Sequence, residues 1–482
     1  MNYKMMGRFL AQILFIEGIF MIPALAISYF LGEGSAVYGF CWSIGIILAV
    51  AASLWLGCKS APSAFYAKEG LVCVSISWIV LSLMGCLPFY ISREITRDVD
   101  AFFEIVYGFT TTGSSILTDV EALSKGLLYW RSFSHWLGGM GVLVFLLAFT
   151  GGKGQGFTMH LLRAESPGPN VGKLVPKMRS TAAILYIIYV AMTILNISFL
   201  LLGDMPLFDA VCTAFGTAGT GGFGVKNNSL AGYSPYLQNV TTVFMALFGI
   251  NFSCYYLLLL KQVRSVFRDE ELRWYLAIIF GAIALIALDI RQMYPTLEET
   301  IRHASFTVST IITTTGFATT DFDLWPAFSK AIVMLLMIIG ACAGSTGGGL
   351  KVARLLLLMK NLGRNLRQSL SPRKVQLVRN NGETVDESVL ANANAYLAAY
   401  VIILFLSFLV ISRDNFSIGT NFTAVLACFN NIGPGLEQVG PTCNFSAFSD
   451  LSKLVLCFDM LAGRLEIFPM LVLFSGPTWR RK

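Results

Sequence analysis

The chain has 482 residues, 55% of them hydrophobic and 13% charged, with a mean hydropathy of +0.67 and a formal net charge of +7. A soluble domain carries about a quarter charged residues, so this composition excludes one. Continuous apolar runs also exclude a β-barrel, whose strands alternate over short segments. The basic surplus falls mainly in short loops between apolar runs, which reads as topogenic charge and not as a nucleic-acid surface.

From its first residues, "MNYKMMGR", the chain runs straight into an apolar stretch with no small-residue cleavage site before the next one. It reads as a retained first helix, not a signal peptide. Full-length spans are predicted at about 8–31, 37–57, 71–92, 130–150, 181–203, 236–260, 273–293, 326–360, 391–412 and 451–475. Each has the roughly 20 apolar residues needed to cross a core of about 30 Å. Four shorter apolar segments lie at about 100–112, 206–220, 299–315 and 419–432. With some 10 to 13 helical residues each, they reach roughly 15–20 Å at 1.5 Å per residue, about half the bilayer.

Charge tests this division. If only the long spans cross and the N-terminus is cytoplasmic, the inside loops hold Lys59 and Lys68, then Lys153, Arg163, Lys173, Lys177 and Arg179, then Lys261 to Arg273. They also hold the cluster from Lys360 to Arg379 and the tail "WRRK". Were the four short segments also to cross, alternate basic loops would fall outside, so four half-crossings are favoured.

Each half-crossing ends in a polar strip: "TTTGSS" (110–115), "TAGTGGFG" (217–224), "TTTGFATTD" (313–321) and "NNIGPG" (430–435). Aligned on Gly113, Gly222, Gly316 and Gly433, the chain shows four repeats of about 95 to 115 residues, too long for a solenoid unit. The expected fold is an all-α polytopic membrane protein with about ten transmembrane helices and four re-entrant half-helices around one pore. The expected divisions are an N-terminal hairpin (1–65) and repeats at 66–155, 156–262 with a cytoplasmic linker, 263–375 and 376–482.

Irregular backbone at membrane depth survives where it lines water or is buried in protein. Glycine lets neighbouring carbonyls turn toward an axis, threonine adds a hydroxyl, and four strips would replace an ion's hydration shell. A preceding half-helix points its partly negative C-terminus at the same place, and Pro206 and Asp209 suit the start of the second one. A lone TTTG would read as a kink with Ser/Thr back-bonding; four together read as a cation pore. The candidate K+ set is Thr111, Thr112 and Gly113; Thr220, Gly221 and Gly222; Thr314, Thr315 and Gly316; and Asn431, Ile432 and Gly433. The acids Asp119, Glu121, Asp321, Asp323 and Glu437 either concentrate cations at the mouth or belong to ordinary solvated loops.

A second break, "IIGACAGSTGGGLKVAR" (338–354), has too many glycines for a straight helix. Lys351 follows Leu350 and not a glycine, so it is no phosphate loop. Residues Gly344, Ser345, Thr346, Gly347, Gly348 and Gly349 form either close small-residue packing or a flexible loop that blocks the pore. "GGKGQG" (151–156) also fails the phosphate pattern and reads as a linker. In the last span Arg464 is either an electrostatic barrier in the pore or half of an ion pair with Asp459 or Glu466. Ten cysteines, mostly in apolar runs, read as small hydrophobes, and His135, His160 and His303 are too far apart in sequence to suggest a metal site.

The four strips, "GACAGSTGGGLKVAR" and the "AGRLEIFP" of the last span resemble the Trk/Ktr/HKT superfamily of potassium transporters across essentially the whole chain. The extra N-terminal hairpin is similar to the TrkH/TrkG branch and unlike the shorter Ktr branch. The resemblance implies K+ (and Rb+) uptake across the bacterial inner membrane, with both termini cytoplasmic. It implies a homodimer in lipid, each protomer holding its own pore, and a TrkA-type cytoplasmic partner with nucleotide-binding RCK domains. No cofactor is implied, K+ being the bound and transported ion. It assigns the gate to Gly344–Gly349 with Lys351 beside it, and the pore-facing arginine to Arg464. A serine in place of a filter glycine goes with sodium permeation in that superfamily; all four glycines stand here, which implies potassium. The second strip departs from the simple pattern through Gly221, and the fourth lacks a threonine before its glycine. Two competing classes are a sodium- or proton-coupled symporter with broken helices and an intramembrane enzyme. The symporter folds usually show two halves, and the enzyme would need a catalytic pair or HExxH that the sequence does not offer.

Overall fold

The computed structural model describes residues 1–59, 67–113, 115–141 and 178–479. Helices make up nearly all the regular structure among them, beside one hairpin in which Arg379–Asn380 pairs antiparallel with Glu383–Thr384. Among the described residues six helical stretches are long and apolar enough to cross a membrane: Tyr3–Phe30, Gly34–Gly57, Lys68–Ile91, Thr181–Leu202, Glu270–Asp289 and Glu387–Asp414. They correspond to six of the predicted spans. Phe30, Leu202, Leu288 and Leu409 are exposed on them, whereas Thr111, Thr112, Thr220, Thr314 and Thr315 of the strips are buried. Apolar outside and polar within is the distribution a hydrocarbon solvent imposes.

Of the other four predicted spans, three are broken helices. The stretch predicted at 236–260 is two helices, Pro235–Phe248 and Phe252–Leu259, bent by 90°. The second starts anew because the Asn251 side chain accepts the Ser253 N–H at 2.9 Å. The stretch at 326–360 is Ala327–Ile338 and Val352–Leu370, parted by the glycine-rich loop. The stretch at 451–475 is Asp450–Arg464 and Phe468–Phe474. Pro469 lacks the N–H that would reach Leu465 and crowds that carbonyl, and Glu466 and Ile467 turn to positive φ at the break. Of the stretch at 130–150, the helix Lys125–Gly139 is described. Its remainder, the 151–156 linker, His160 and the bases Lys153, Arg163, Lys173 and Lys177 lie outside the described residues.

The four short segments are the helices Asp98–Phe109, Leu207–Gly219, Leu297–Ile312 and Ile418–Phe429, of 12, 13, 16 and 12 residues. At 1.5 Å per residue each falls short of a core of about 30 Å. Their first turns carry Asp98 and Asp100, Asp209, and Glu298 and Glu299, while Ser417 caps the fourth by accepting the Thr420 N–H. Negative groups there complement the helix dipole.

These helices are wedged in a closed circle. The first packs on Lys125–Gly139 and on Asp450–Arg464; the second on Lys125–Gly139 and Pro235–Phe248. The third packs on Pro235–Phe248 and Ala327–Ile338; the fourth on Ala327–Ile338 and Asp450–Arg464. Every half-length helix thus sits between the helix that follows it and the one that follows the previous half-length helix in the circle. Tyr3–Phe20 and Gly34–Gly57 pack together as a separate hairpin that also contacts Ala67–Gly85 and Leu87–Ile91.

Candidate functional site

Each half-length helix ends in the same turn. Thr111, Thr220, Thr314 and Asn431 take φ of 57°, 55°, 57° and 54°. The next N–H reaches back five residues: Thr112 to the Tyr107 carbonyl (3.0 Å), Gly221 to Gly216 (2.8 Å), Thr315 to Thr310 (2.8 Å) and Ile432 to Ala427 (2.9 Å). This is the longer bond of a Schellman cap, in which glycine usually takes the left-handed place. A residue with a Cβ pays about 1–2 kcal/mol there, and three of the four are β-branched threonines. Such strain persists where the surroundings over-determine it. The shared turn also settles the register of the second strip, since Thr220-Gly221-Gly222 is the counterpart of Thr111-Thr112-Gly113. Gly113, Gly316 and Gly433 have positive φ as well; Gly222 does not share it.

The strips meet in one ring. A Cβ on Gly113 would lie 2.5 Å from the Gly222 nitrogen and 2.8 Å from the Thr315 carbonyl oxygen, and one on Gly222 2.5 Å from that same oxygen. Gly316 faces the Ile432 carbonyl in the same way. The circle closes where Asn431 Nδ2 donates to the Thr112 hydroxyl at 3.1 Å. In the first and third strips a hydroxyl pair braces the turn, Thr110 with Thr112 (2.8 Å) and Thr313 with Thr315 (2.7 Å). All twelve strip residues therefore belong to one assembly. Carbonyls, hydroxyls and four helix C-termini suit it to a dehydrated cation.

The glycine-rich loop packs against this ring. The Gly348 N–H donates to the Thr314 hydroxyl at 2.7 Å, and a Cβ on Gly347 would lie 2.9 Å from the Thr313 carbonyl. The loop is stitched into the bend near Gly249 by Cys342 N–H to the Gly249 carbonyl and Phe252 N–H to the Gly344 carbonyl, both 3.0 Å. Ser345 donates to the Cys342 carbonyl (2.6 Å), and buried Lys351 donates to the Gly347 carbonyl. Arg464 ends its helix here: it donates to the carbonyls of Thr346 (2.9 Å), Gly139 (2.7 Å) and Gly138, and lies 3.5 Å from the Thr111 hydroxyl. The two carboxylates considered for it are engaged with other residues, Glu466 with Arg354 at 2.6 Å and Asp459 with Ser407 at 2.7 Å.

On the other side the ring opens into a cavity of about 220 Å³, lined by Gly113, Gly222, Gly316 and Pro434 together with Lys226 and Cys443. The acids near the strips are not among its lining residues. Glu121 is 3.9 Å from Lys226, Asp323 is 3.8 Å from Lys330, and Asp321 accepts from Thr442 at 3.2 Å. Glu437 accepts from Ser417 and Thr420 at the start of the fourth half-length helix, and the Ser417 hydroxyl holds its carboxyl below the usual range. The Asn227 amide does the same for Asp119. These carboxylates brace the loops around the mouth.

Three features escape the sequence reading. His135 sits between the first two strips: Nδ1 is 2.7 Å from the Gly108 carbonyl and Nε2 accepts the Phe223 N–H at 3.3 Å, which puts the proton on Nδ1. Arg131 and Glu104 form a buried pair at 2.6 Å just beyond those strips. Glu271 accepts one N–H from the glycine-rich loop, at Ala343, and one from the start of the helix after it, at Ala353. A charge or imidazole inside an apolar run is the available signal for the first two. For Glu271, at the end of a span, no sequence signal separates it from ordinary solvated acids.

A helical membrane chain in which four half-length helices deliver equivalent turns to one ring has the build of a cation transporter. It belongs to the TrkH family of cation transport proteins, whose model matches residues 40–480, and so to a family of transporters and not of enzymes. The chain is 33% identical over 488 residues to the Trk system potassium uptake protein TrkH of Escherichia coli (strain K12), with 100% of both chains covered. It is 32% identical over 474 residues to TrkG of the same strain, covering 97% of each. Its structure is similar to the crystal structure of the potassium transporter TrkH from Vibrio parahaemolyticus, with a TM-score of 0.89, 29% identity and 100% of both chains covered.

Proposed function

We propose that this chain is the membrane subunit of a potassium-uptake system in a bacterial inner membrane, passing K+ and Rb+ through the ring of four strips. The observation that carries the reading is the fourfold recurrence of one strained turn, at Thr111, Thr220, Thr314 and Asn431, in a single ring. Carbonyls held by such turns cannot collapse onto a smaller ion without breaking the caps behind them, so they favour the larger one. The loop Gly344–Gly349 with Lys351 is the gate, and Arg464 is a fixed cation beneath the filter that slows permeation. The repeats run 66–155, 156–262, 263–375 and 376–482 after a hairpin at 1–65. Two such chains form a dimer with one pore each, both termini cytoplasmic, under control of a nucleotide-binding cytoplasmic partner.

The test is ion flux into proteoliposomes holding the purified chain, comparing K+, Rb+, Na+ and Li+, each repeated with Gly316→Ser. Passage of K+ and Rb+ but not Na+, with that preference eroded by the substitution, supports the filter. Equal passage of Na+ and K+, unchanged by Gly316→Ser, refutes it. If nothing passes, flux is measured again with the cytoplasmic partner, because a closed gate gives the same silence.

A further inference from the structure

Asp269, Glu270 and Glu271 open the helix Glu270–Asp289 and face two ways. A single oxygen of Glu271, Oε1, accepts the Ala343 N–H at 2.6 Å and the Ala353 N–H at 3.0 Å. Ala343 lies where the glycine-rich loop begins and Ala353 just after it ends. Just before each of them the chain is paired as well: Ile339 and Leu350 form a parallel bridge, with the Gly340 N–H 2.8 Å from the Leu350 carbonyl. The loop is therefore a closed bight, and one carboxylate holds its neck.

The two preceding acids hold the hairpin Arg379–Thr384. Asn381 donates its N–H to Glu270 (3.0 Å) and its Nδ2 to Asp269 (3.0 Å), and its Oδ1 accepts the Glu270 N–H at 2.8 Å. Lys360 donates to Glu270 and to the Arg379 carbonyl. Asn381 and Gly382, with φ of 52° and 86°, form the two-residue turn that an Asn-Gly pair favours. It fixes all three Asn381 groups in one rigid tip. Glu270 and Glu271 share a peptide in the first turn of the helix, so the turn cannot rotate at the hairpin without moving the carboxylate at the loop. The loop's other bonds join it to the ring, to the bend near Gly249 and to Arg464; the Glu271 bonds join it to an element on the face opposite the cavity.

We propose that Glu271 is the latch of the loop 339–351 and that the hairpin Arg379–Thr384 is the lever that sets it. Displacing the hairpin turns the helix start, withdraws the Glu271 oxygen from both N–H groups and frees the glycine-rich bight to leave the ring. Glycines lose most conformational freedom on ordering, so the freed loop does not hold its closed shape unaided. The latch rests on the reading of this loop as the gate.

The experiment is tracer rubidium uptake into proteoliposomes holding the full chain alone, as wild type, Glu271→Ala, Glu271→Gln, Asn381→Ala and Gly316→Ser. Glu271→Ala is expected to raise uptake about tenfold and Asn381→Ala severalfold, by shifting the loop toward its open state. Glu271→Gln keeps an acceptor oxygen and falls between wild type and Glu271→Ala. The preference for K+ over Na+ stays unchanged in all three, which general damage to the pore would not allow. Wild-type uptake in both Glu271 variants overturns the latch, and wild-type uptake in Asn381→Ala alone overturns the lever. If Glu271→Ala cannot be recovered as a monodisperse protein, Glu271→Gln decides. Gly316→Ser separates the two readings: if it erodes the preference while the Glu271 variants are silent, the latch alone fails. If it leaves the preference intact, the filter itself fails.

Discussion

Asn431 is tied to Thr112. Its Nδ2 donates to the Thr112 hydroxyl at 3.1 Å and to the Met460 carbonyl at 3.0 Å, so one side chain joins the fourth strip to the first and both to the helix Asp450–Arg464. Asparagine also tolerates the left-handed backbone better than most residues with a Cβ. Asn431→Gly therefore keeps the turn and removes both bonds. The ring loses its closing contact, and the preference for K+ over Na+ should fall about tenfold, the effect of roughly 1.4 kcal/mol. Paired uptake measurements with the two ions check this, and an unchanged ratio would mean that the ring needs no closure.

Arg464 combines a charge with a tether. Its guanidinium reaches carbonyls on the loop and at the end of Lys125–Gly139. Arg464→Ala removes both barrier and tether, and rubidium uptake is expected to rise about tenfold. Arg464→Lys keeps the charge, but an ammonium lacks the planar fork that bridges separate carbonyls, so a smaller rise is expected. An equal rise in the two variants would assign the effect to the tether and not to the charge.

How far the sequence foretold this site depends on the range of the interaction. The half-length helices and their strips were legible, because a polar break after a short apolar run is a local pattern. The shared turn was half legible: the glycines mark it, but the left-handed residue is Thr111, Thr220, Thr314 or Asn431, a type that usually avoids such backbone. That choice reflects the ring and not local propensity. The break at 249–251 has only a weak local signal in Gly249, because the bend depends on the loop threaded into it. The Asn381-Gly382 pair is a strong local turn signal, but the sequence around it does not say that the turn docks on the start of the helix Glu270–Asp289. Glu271 was illegible, since its partners lie 72 and 82 residues away.

Glu104 and Arg131 form a buried pair, with side chains 0% and 3% exposed. Glu104 also accepts the Ser115 hydroxyl (2.9 Å) and the Ile116 N–H (3.1 Å), while Arg131 donates to the Gly224 carbonyl (3.0 Å) and lies 3.5 Å from the Phe223 ring centre. The pair thus pins the chain just beyond the first two strips. Glu104→Ala leaves a buried guanidinium uncompensated, which costs about 3–5 kcal/mol. The apparent unfolding temperature in detergent should drop by roughly 4 °C. Replacing both residues with methionine restores much of that stability but not the hydrogen bonds at the strip exits. The double variant should then be stable and less selective, as melting and paired ion uptake together would show.

Cys443 offers a direct probe of the cavity. It is an exposed free thiol and lines the same space as Gly113, Gly222 and Gly316, whereas Cys41, also exposed, belongs to the N-terminal hairpin. A cationic methanethiosulfonate reagent added on the cavity side would place a fixed positive charge beside the ring. It should repel the incoming cation and lower rubidium uptake to about half or less, most strongly at low ionic strength, because the Debye length is about 10 Å at 0.1 M salt and 30 Å at 0.01 M. An anionic reagent of similar size occupies the same volume with the opposite field, so its block should be weaker at low salt. Cys443→Ser should abolish both effects and Cys41→Ser neither. If the two reagents block equally at every salt concentration, obstruction and not charge governs entry. If neither acts on a chain whose Cys443 is fully labelled, ions do not enter through this cavity.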